Sequence, residues 1–366
     1  MSKSMLAVRA HQGSTDIHLD NVPIPAPGPQ DVLIKVASAG LVPGPIKMLE
    51  RGRLRLLPTI LGHEVAGTIE AVGSEVDSSK VGDRVRMHPN LTCRKCKHCL
   101  NDREQMCNQA AIIGFNGFGK AKMPLYEQYH DGGLGEYMVV PHWLVDKLPE
   151  NVSFDVAAKV HDVGSAMRAL KCANLEPDST IVVTAPTGAM GTSILKLAEH
   201  FAIRRVILIG RSRERLEAVR HLTKVSTDIV VLEELGPDWV LTNGLKQKLL
   251  ELAPDGVDAI LDFMPSGQDI WQSMGALATN GTLVHMGGNV ATLPYPVAIM
   301  MFNCWKFVGT RGNTRSDTDQ VLRWLADGRL NVDDLITHKY KLSEVREGIT
   351  DLQSRSSPIW MSVVNI

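Results

Sequence analysis

The sequence predicts an α/β chain of more than one domain, with a β-rich first part followed by a doubly wound parallel sheet. Three observations carry that prediction. The 366 residues exceed what a single core usually serves. Up to about residue 150, apolar residues fall in short segments with a period of two, punctuated by Gly and Pro. From about residue 178 they fall instead in continuous runs separated by helical stretches.

In the first part, Val32, Ile34 and Val36 alternate with polar neighbours as a half-buried strand requires. HEVAGTIEAVG (63–73) and VGDRVRMHP (81–89) continue the pattern with glycines at turns, and a small barrel is expected. TIVVTA (180–185) then reads as a strand buried on both faces. It is followed by a glycine-bearing turn, a helix with Ile194, Leu197, Ala198 and Phe201 on one stripe, and the strand VILI (206–209). Strand, turn, helix, strand is a βαβ unit. VDAILDF (257–263) and the stretch 273–288 repeat the alternation, so residues 151 to about 300 are expected to form the doubly wound sheet. The last sixty or so residues return to mixed patterning.

Composition narrows the function. With 44% apolar and 22% charged residues the chain can bury ordinary cores, and a net charge of -1 offers no basic face for nucleic acid or an anionic membrane. No apolar run approaches the roughly 18–20 residues of a membrane span. The start, MSKSMLAVRAHQG, shows no long apolar leader, and a cytoplasmic location is expected.

Four of the six cysteines lie within fifteen residues, at Cys93, Cys96, Cys99 and Cys107. Two-residue gaps let tight turns aim thiolates at one point, as tetrahedral zinc requires. Four protein ligands leave no open position, which marks a structural metal. An iron–sulfur cluster is the rival reading of such spacing.

These four cysteines, together with LGHEVAGTIEAVG (61–73), VGDRVRMHP (81–89) and GGLGEYMVVP (132–141), make the chain resemble the zinc alcohol dehydrogenases of the medium-chain dehydrogenase/reductase superfamily. The resemblance runs over nearly the whole chain. It implies a GroES-like catalytic domain over 1–155, with a zinc lobe at about 90–110. A Rossmann dinucleotide-binding domain over 156–300 and a return to the catalytic domain over 301–366 follow. It further implies an oxidoreductase that interconverts an alcohol and an aldehyde or ketone by zinc-assisted hydride transfer, working as a homodimer or homotetramer.

The turn holding Thr187, Gly188, Ala189, Met190 and Gly191 stands where a dinucleotide's pyrophosphate would meet a helix start, although Pro186 replaces the first glycine of the usual motif. After VILI, an NAD enzyme places an acidic residue for the ribose. Here Arg211, Ser212 and Arg213 stand instead, which favours NADP(H) over NAD(H).

At the catalytic metal the sequence departs from the resembling family. His63 keeps the histidine of the Gly-His-Glu motif, but the first cysteine falls at Val42 and the relay serine or threonine at Gly44. The relay histidine falls at Lys47, and the third ligand at His161, with Asp162 beside it. One reading keeps a catalytic zinc on His63, Glu64 and His161 or Asp162. The other has no metal there, and His63, His161, Asp162 or Lys47 acts as acid or base. A zinc-independent enoyl or quinone reductase and a non-catalytic NADP(H)-binding protein stay as alternatives. The substrate is expected to be a small molecule, with no nucleic acid and no membrane partner.

Overall fold

The computed structural model describes residues 3–366. The leaderless start read from the sequence includes residues 1 and 2, which lie outside the described residues. The chain forms two compact units, residues 1–161 with 314–366, and residues 162–313.

The first unit is built on a mixed, largely antiparallel sheet. Its spine is β1 (Asp31–Leu41), where the alternating Val32, Ile34 and Val36 are buried. Helix α1 (Pro43–Glu50) follows directly, with prolines in its first turn where a missing N–H costs nothing. β1 pairs antiparallel with β2 (Val65–Val72), with residues 137–141 and with Met361–Asn365. The C-terminal strand therefore completes the sheet begun near the N-terminus. The core between these layers joins Ile34, Val36, Leu41, Val65, Ile69, Val85 and Met87 with Leu61, Leu134 and Val364. Helix α2 (Phe154–Cys172) carries a run of buried residues near its start.

The second unit is a six-stranded parallel sheet. β3 (Thr180–Thr184) is followed by helix α3 (Ala189–Ala198), then β4 (Arg205–Gly210), helix α4 (Arg213–Val219) and β5 (Ser226–Val231). β6 (Val257–Asp262), β7 (Leu277–His285) and β8 (Lys306–Gly309) extend it on the other side. The order β5-β4-β3-β6-β7-β8 reverses between β3 and β6, the switch point at which open parallel sheets bind ligands beyond their C-terminal edges. All five residues of β3 are buried, as continuous apolarity requires.

Candidate functional site

The four cysteines of the lobe meet. Their sulfurs all lie within 4.8 Å of one another, with Cys96 and Cys99 at 3.6 Å and Cys93 and Cys99 at 3.9 Å. Tetrahedral zinc with bonds of about 2.3 Å sets sulfurs roughly 3.8 Å apart, so the cage fits that ion. A multi-iron cluster interposes several metals and would spread the thiolates further. Backbone N–H groups of Cys93 and Gln109 donate to Cys107 Sγ at 3.5 and 3.3 Å, supporting a thiolate from outside the cage. Backbone hydrogen bonds from Cys99 and His98 pull the Cys96 thiol down to about 6. The lobe is anchored by Arg315, whose backbone N–H donates to Glu104 and whose guanidinium reaches Asp146 and the Trp143 carbonyl.

His63 sits at the end of a tight glycine crossing. Gly62 has φ +99°, and its carbonyl lies 2.3–2.4 Å from where a Cβ on Gly114 or Gly132 would be. Only glycines pass three backbones this closely, and the crossing delivers His63 into the interior at 6% exposure. His161, also 6% exposed, comes from α2 and meets His63 edge-on with ring centroids 5.3 Å apart. On its other side, His63 stacks on Phe115 at 5.3 Å, and Phe118 packs against Phe115. Phe115 also lies 3.4 Å from where a Cβ on Gly44 would be, so the aromatic ring covers the position of the usual relay hydroxyl. Nothing in the sequence marked Phe115 as a neighbour of His63. Lys47 is exposed on α1.

Glu64 is oriented differently from the metal-ligand expectation. Its buried carboxylate accepts from the buried ammonium of Lys159 on α2. Among the described residues, the four cysteines are the only group of three or more His, Cys, Asp or Glu ligand atoms brought within 4.8 Å. No second such set is grouped among the described residues, and Lys159 engages one oxygen of the carboxylate that the sequence reading offered to a metal. Val42, at the position of the resembling family's first cysteine, has no donor atom to offer a metal. Burial pushes the His161 imidazole well below its usual range, reinforced by His63, Arg86 and Lys159.

His88 lines a cavity of about 450 Å³ with Asn90, Thr92, Arg94 and Arg315. It is 2% exposed, and neither ring nitrogen has a hydrogen-bond partner among the described residues. Burial, with Arg315, Arg86 and His161 nearby, holds it well below its usual range. The unfolded chain therefore binds more protons than the folded one below about pH 6.5, so the stability contributed by neutral His88 and His161 is present above that pH and eroded beneath it. Unfolding free energy is expected to fall on acidification at up to about 1.4 kcal/mol per pH unit for each histidine. Urea melts at pH 7 and pH 5 check this, and His88→Gln should remove its share of the slope.

In the second unit, Gly188 caps α3 and Thr187 precedes it, while Ala189, Met190 and Gly191 form its first turn. No acidic side chain occupies that turn, so its free N–H groups and positive dipole end suit a phosphate. A Cβ on Gly191 would lie 2.4 Å from Pro186 Cα, which is why the helix can follow the strand so closely. Ser212 caps α4 by accepting from the Arg215 N–H. Arg213 is held by Glu234 through two hydrogen bonds of 2.8 and 2.6 Å, whereas Arg211 is exposed and makes no ion pair among the described residues. At the strand ends, the buried Asp262 accepts from Thr184 Oγ1 at 2.7 Å and pairs with His285 Nδ1 at 2.6 Å. His285 Nε2 in turn accepts from the Asn289 N–H, which pins the loop after β7. Sequence reasoning missed this network because its members lie far apart in the chain.

Comparison with known proteins agrees with this architecture. Residues 28–150 match the family described as alcohol dehydrogenase GroES-like domain, and residues 189–327 match zinc-binding dehydrogenase. An NAD-dependent alcohol dehydrogenase of Saccharolobus solfataricus is 28% identical over 364 residues, covering 96% of this chain and 97% of that one. A protein of Aspergillus fumigatus described as a probable D-xylulose reductase is 26% identical over 94% of this chain and 92% of its own. Among solved structures, a protein of Sinorhizobium meliloti bound to NADP superposes with a TM-score of 0.84 at 22% identity, covering all of both chains. A thermostable alcohol dehydrogenase of Pyrobaculum aerophilum, bound to cobalt and zinc, gives 0.82 at 23%, again over all of both chains.

Proposed function

The chain belongs to the zinc-containing medium-chain dehydrogenase/reductase family, and from that premise we propose that it interconverts a small alcohol and its aldehyde or ketone with a nicotinamide cofactor. The observation that carries the reading is the phosphate-ready turn at 187–191, set at the switch point of a six-stranded parallel sheet. A bound nicotinamide cofactor would supply the hydride chemistry, and in the oxidative direction a neutral imidazole of this chain would take the alcohol's O–H proton. His63 and His161 are the groups positioned for that proton, because their rings meet in the interior and burial keeps His161 uncharged. The relatives named as alcohol dehydrogenase and xylulose reductase support a hydroxylated substrate.

Zinc belongs in the cysteine lobe, where it holds structure. Four thiolates of this kind suit a reducing compartment, which supports the cytoplasm as the location. Self-association is supported at β8, an edge strand that carries exposed Phe307 and follows a segment with exposed Val297, Met301 and Phe302.

The test is turnover of a panel of primary and secondary alcohols and their carbonyls with each cofactor. Oxidation of an alcohol coupled to nicotinamide reduction is the expected result. Activity confined to conjugated alkenes or quinones would replace this reading with the zinc-independent reductase, which the Lys159–Glu64 pair favours.

NADP(H) is the proposed cofactor, gripped at its 2′-phosphate by Arg211, the unpaired guanidinium of the two. The exposed Arg213–Glu234 pair is worth little and can yield to a phosphate. Arg211→Ala is expected to weaken NADPH about 10- to 100-fold while leaving NADH nearly unchanged, as loss of one charge-assisted contact requires. Fluorescence titration with both cofactors checks it, and equal losses would assign Arg211 to something other than the 2′-phosphate.

A further inference from the structure

Two buried cations lie near enough to His161 for their charges to act on it. Lys159 and Arg86 are each 1% exposed, among the largest fully buried side chains of the molecule. Arg86 pairs with Asp146 at 3.2 Å and donates to the Met87 carbonyl at 2.7 Å. Lys159 pairs with Glu64, which is itself 1% exposed. The backbone makes room for that pair: a Cβ on Gly40 would lie 2.0 Å from the Glu64 carboxylate. Arg86 lies close enough to Glu64 and His161 for its charge to act on both.

A buried carboxylate is stable only with a partner, and a divalent metal or an ammonium can serve. Here the ammonium is covalently part of α2, two residues before His161. A dication entering beside the two imidazoles would find the Glu64 carboxylate already engaged by an ammonium. It would have to displace the Lys159 ammonium or share the carboxylate with it, two like charges at short range in a low dielectric. We propose that Lys159 stands in for a metal in this pocket: its ammonium neutralises Glu64 and keeps divalent cations out, so the chain carries zinc in the cysteine lobe alone. Lys159 acts through Glu64 and the field around the imidazoles, as a positioning residue.

This inference is independent of the proposed activity, since its readout is metal. Elemental analysis of protein purified without chelator should give about one zinc per chain. About two would overturn the proposal outright. Lys159→Met leaves Glu64 without its cation, and the variant should rise to about two zincs. Its cobalt form should gain a second visible absorption envelope from a nitrogen- and oxygen-ligated site. Lys159→Arg, which keeps the charge, should stay at about one, as should the Lys159→Met variant that also carries Glu64→Gln. A folded Lys159→Met chain that remains at one zinc would refute exclusion by the ammonium. Should that variant not fold, the wild-type protein titrated with cobalt decides: saturable binding at a second site contradicts the proposal, and binding confined to the lobe upholds it.

Discussion

Serine in place of Cys107 is expected to empty the zinc lobe and lower the melting temperature by roughly 10 °C or more. Cys107 is the buried member of the cage, at 1% exposure, and two backbone N–H groups are aimed at its sulfur. A hydroxyl in its place is a poor zinc ligand, and three thiolates without their metal repel one another. Structural zinc sites contribute on the order of 10 kcal/mol in isolated peptides. Even a loss of about 4 kcal/mol, at roughly 2–4 °C per kcal/mol for a unit of this size, reaches the stated shift. Differential scanning calorimetry with parallel zinc analysis measures both. Loss of zinc with an unchanged melting temperature would mean that the Arg315 anchor alone holds residues 93–107 in place.

His63→Ala is expected to reduce kcat/KM by about 10²–10⁴-fold, the range for losing a positioned acid or base, while cofactor affinity stays within about twofold. The side chain removed is a ring enclosed between Phe115 and His161, so packing is lost as well. Phe115→Leu serves as the control, because it disturbs the stack and leaves the imidazole. A similar fall in both variants would make His63 a packing residue; a fall in His63→Ala alone assigns it the proton.

The metal lobe was legible because its ligands are local. Cys-x2-Cys-x2-Cys-x7-Cys encodes the approach of four sulfurs within fifteen residues of chain. The parallel sheet was legible for the same reason, since β3, the turn after it and α3 are contiguous and each obeys its own periodicity. What stayed hidden depends on pairs distant in sequence. Glu64 and Lys159 are separated by 95 positions, and Thr184 and Asp262 by 78. No period or spacing connects them. A lysine on α2 reads from sequence as a solvated charge, and only the fold shows it turned inward against a carboxylate. The two arginines after β4 looked equivalent in sequence; the structure distinguishes them because Glu234 lies beside Arg213 and not beside Arg211.

The anchor at Arg315 has a consequence for how the molecule is made. Its backbone N–H reaches Glu104 across 211 positions, and its guanidinium reaches Trp143 across 172. Those contacts close only after the ribosome has delivered the entire second unit, residues 162–313, which can meanwhile settle as a module with its own core. During that interval the first unit also lacks Met361–Asn365, a neighbour of its central strand. The nascent first unit therefore waits with an open sheet edge and an unlatched metal lobe, and its completion is a late, high-contact-order event. Aggregation during synthesis is then set by the lifetime of that waiting state, more than by the stability of the finished molecule.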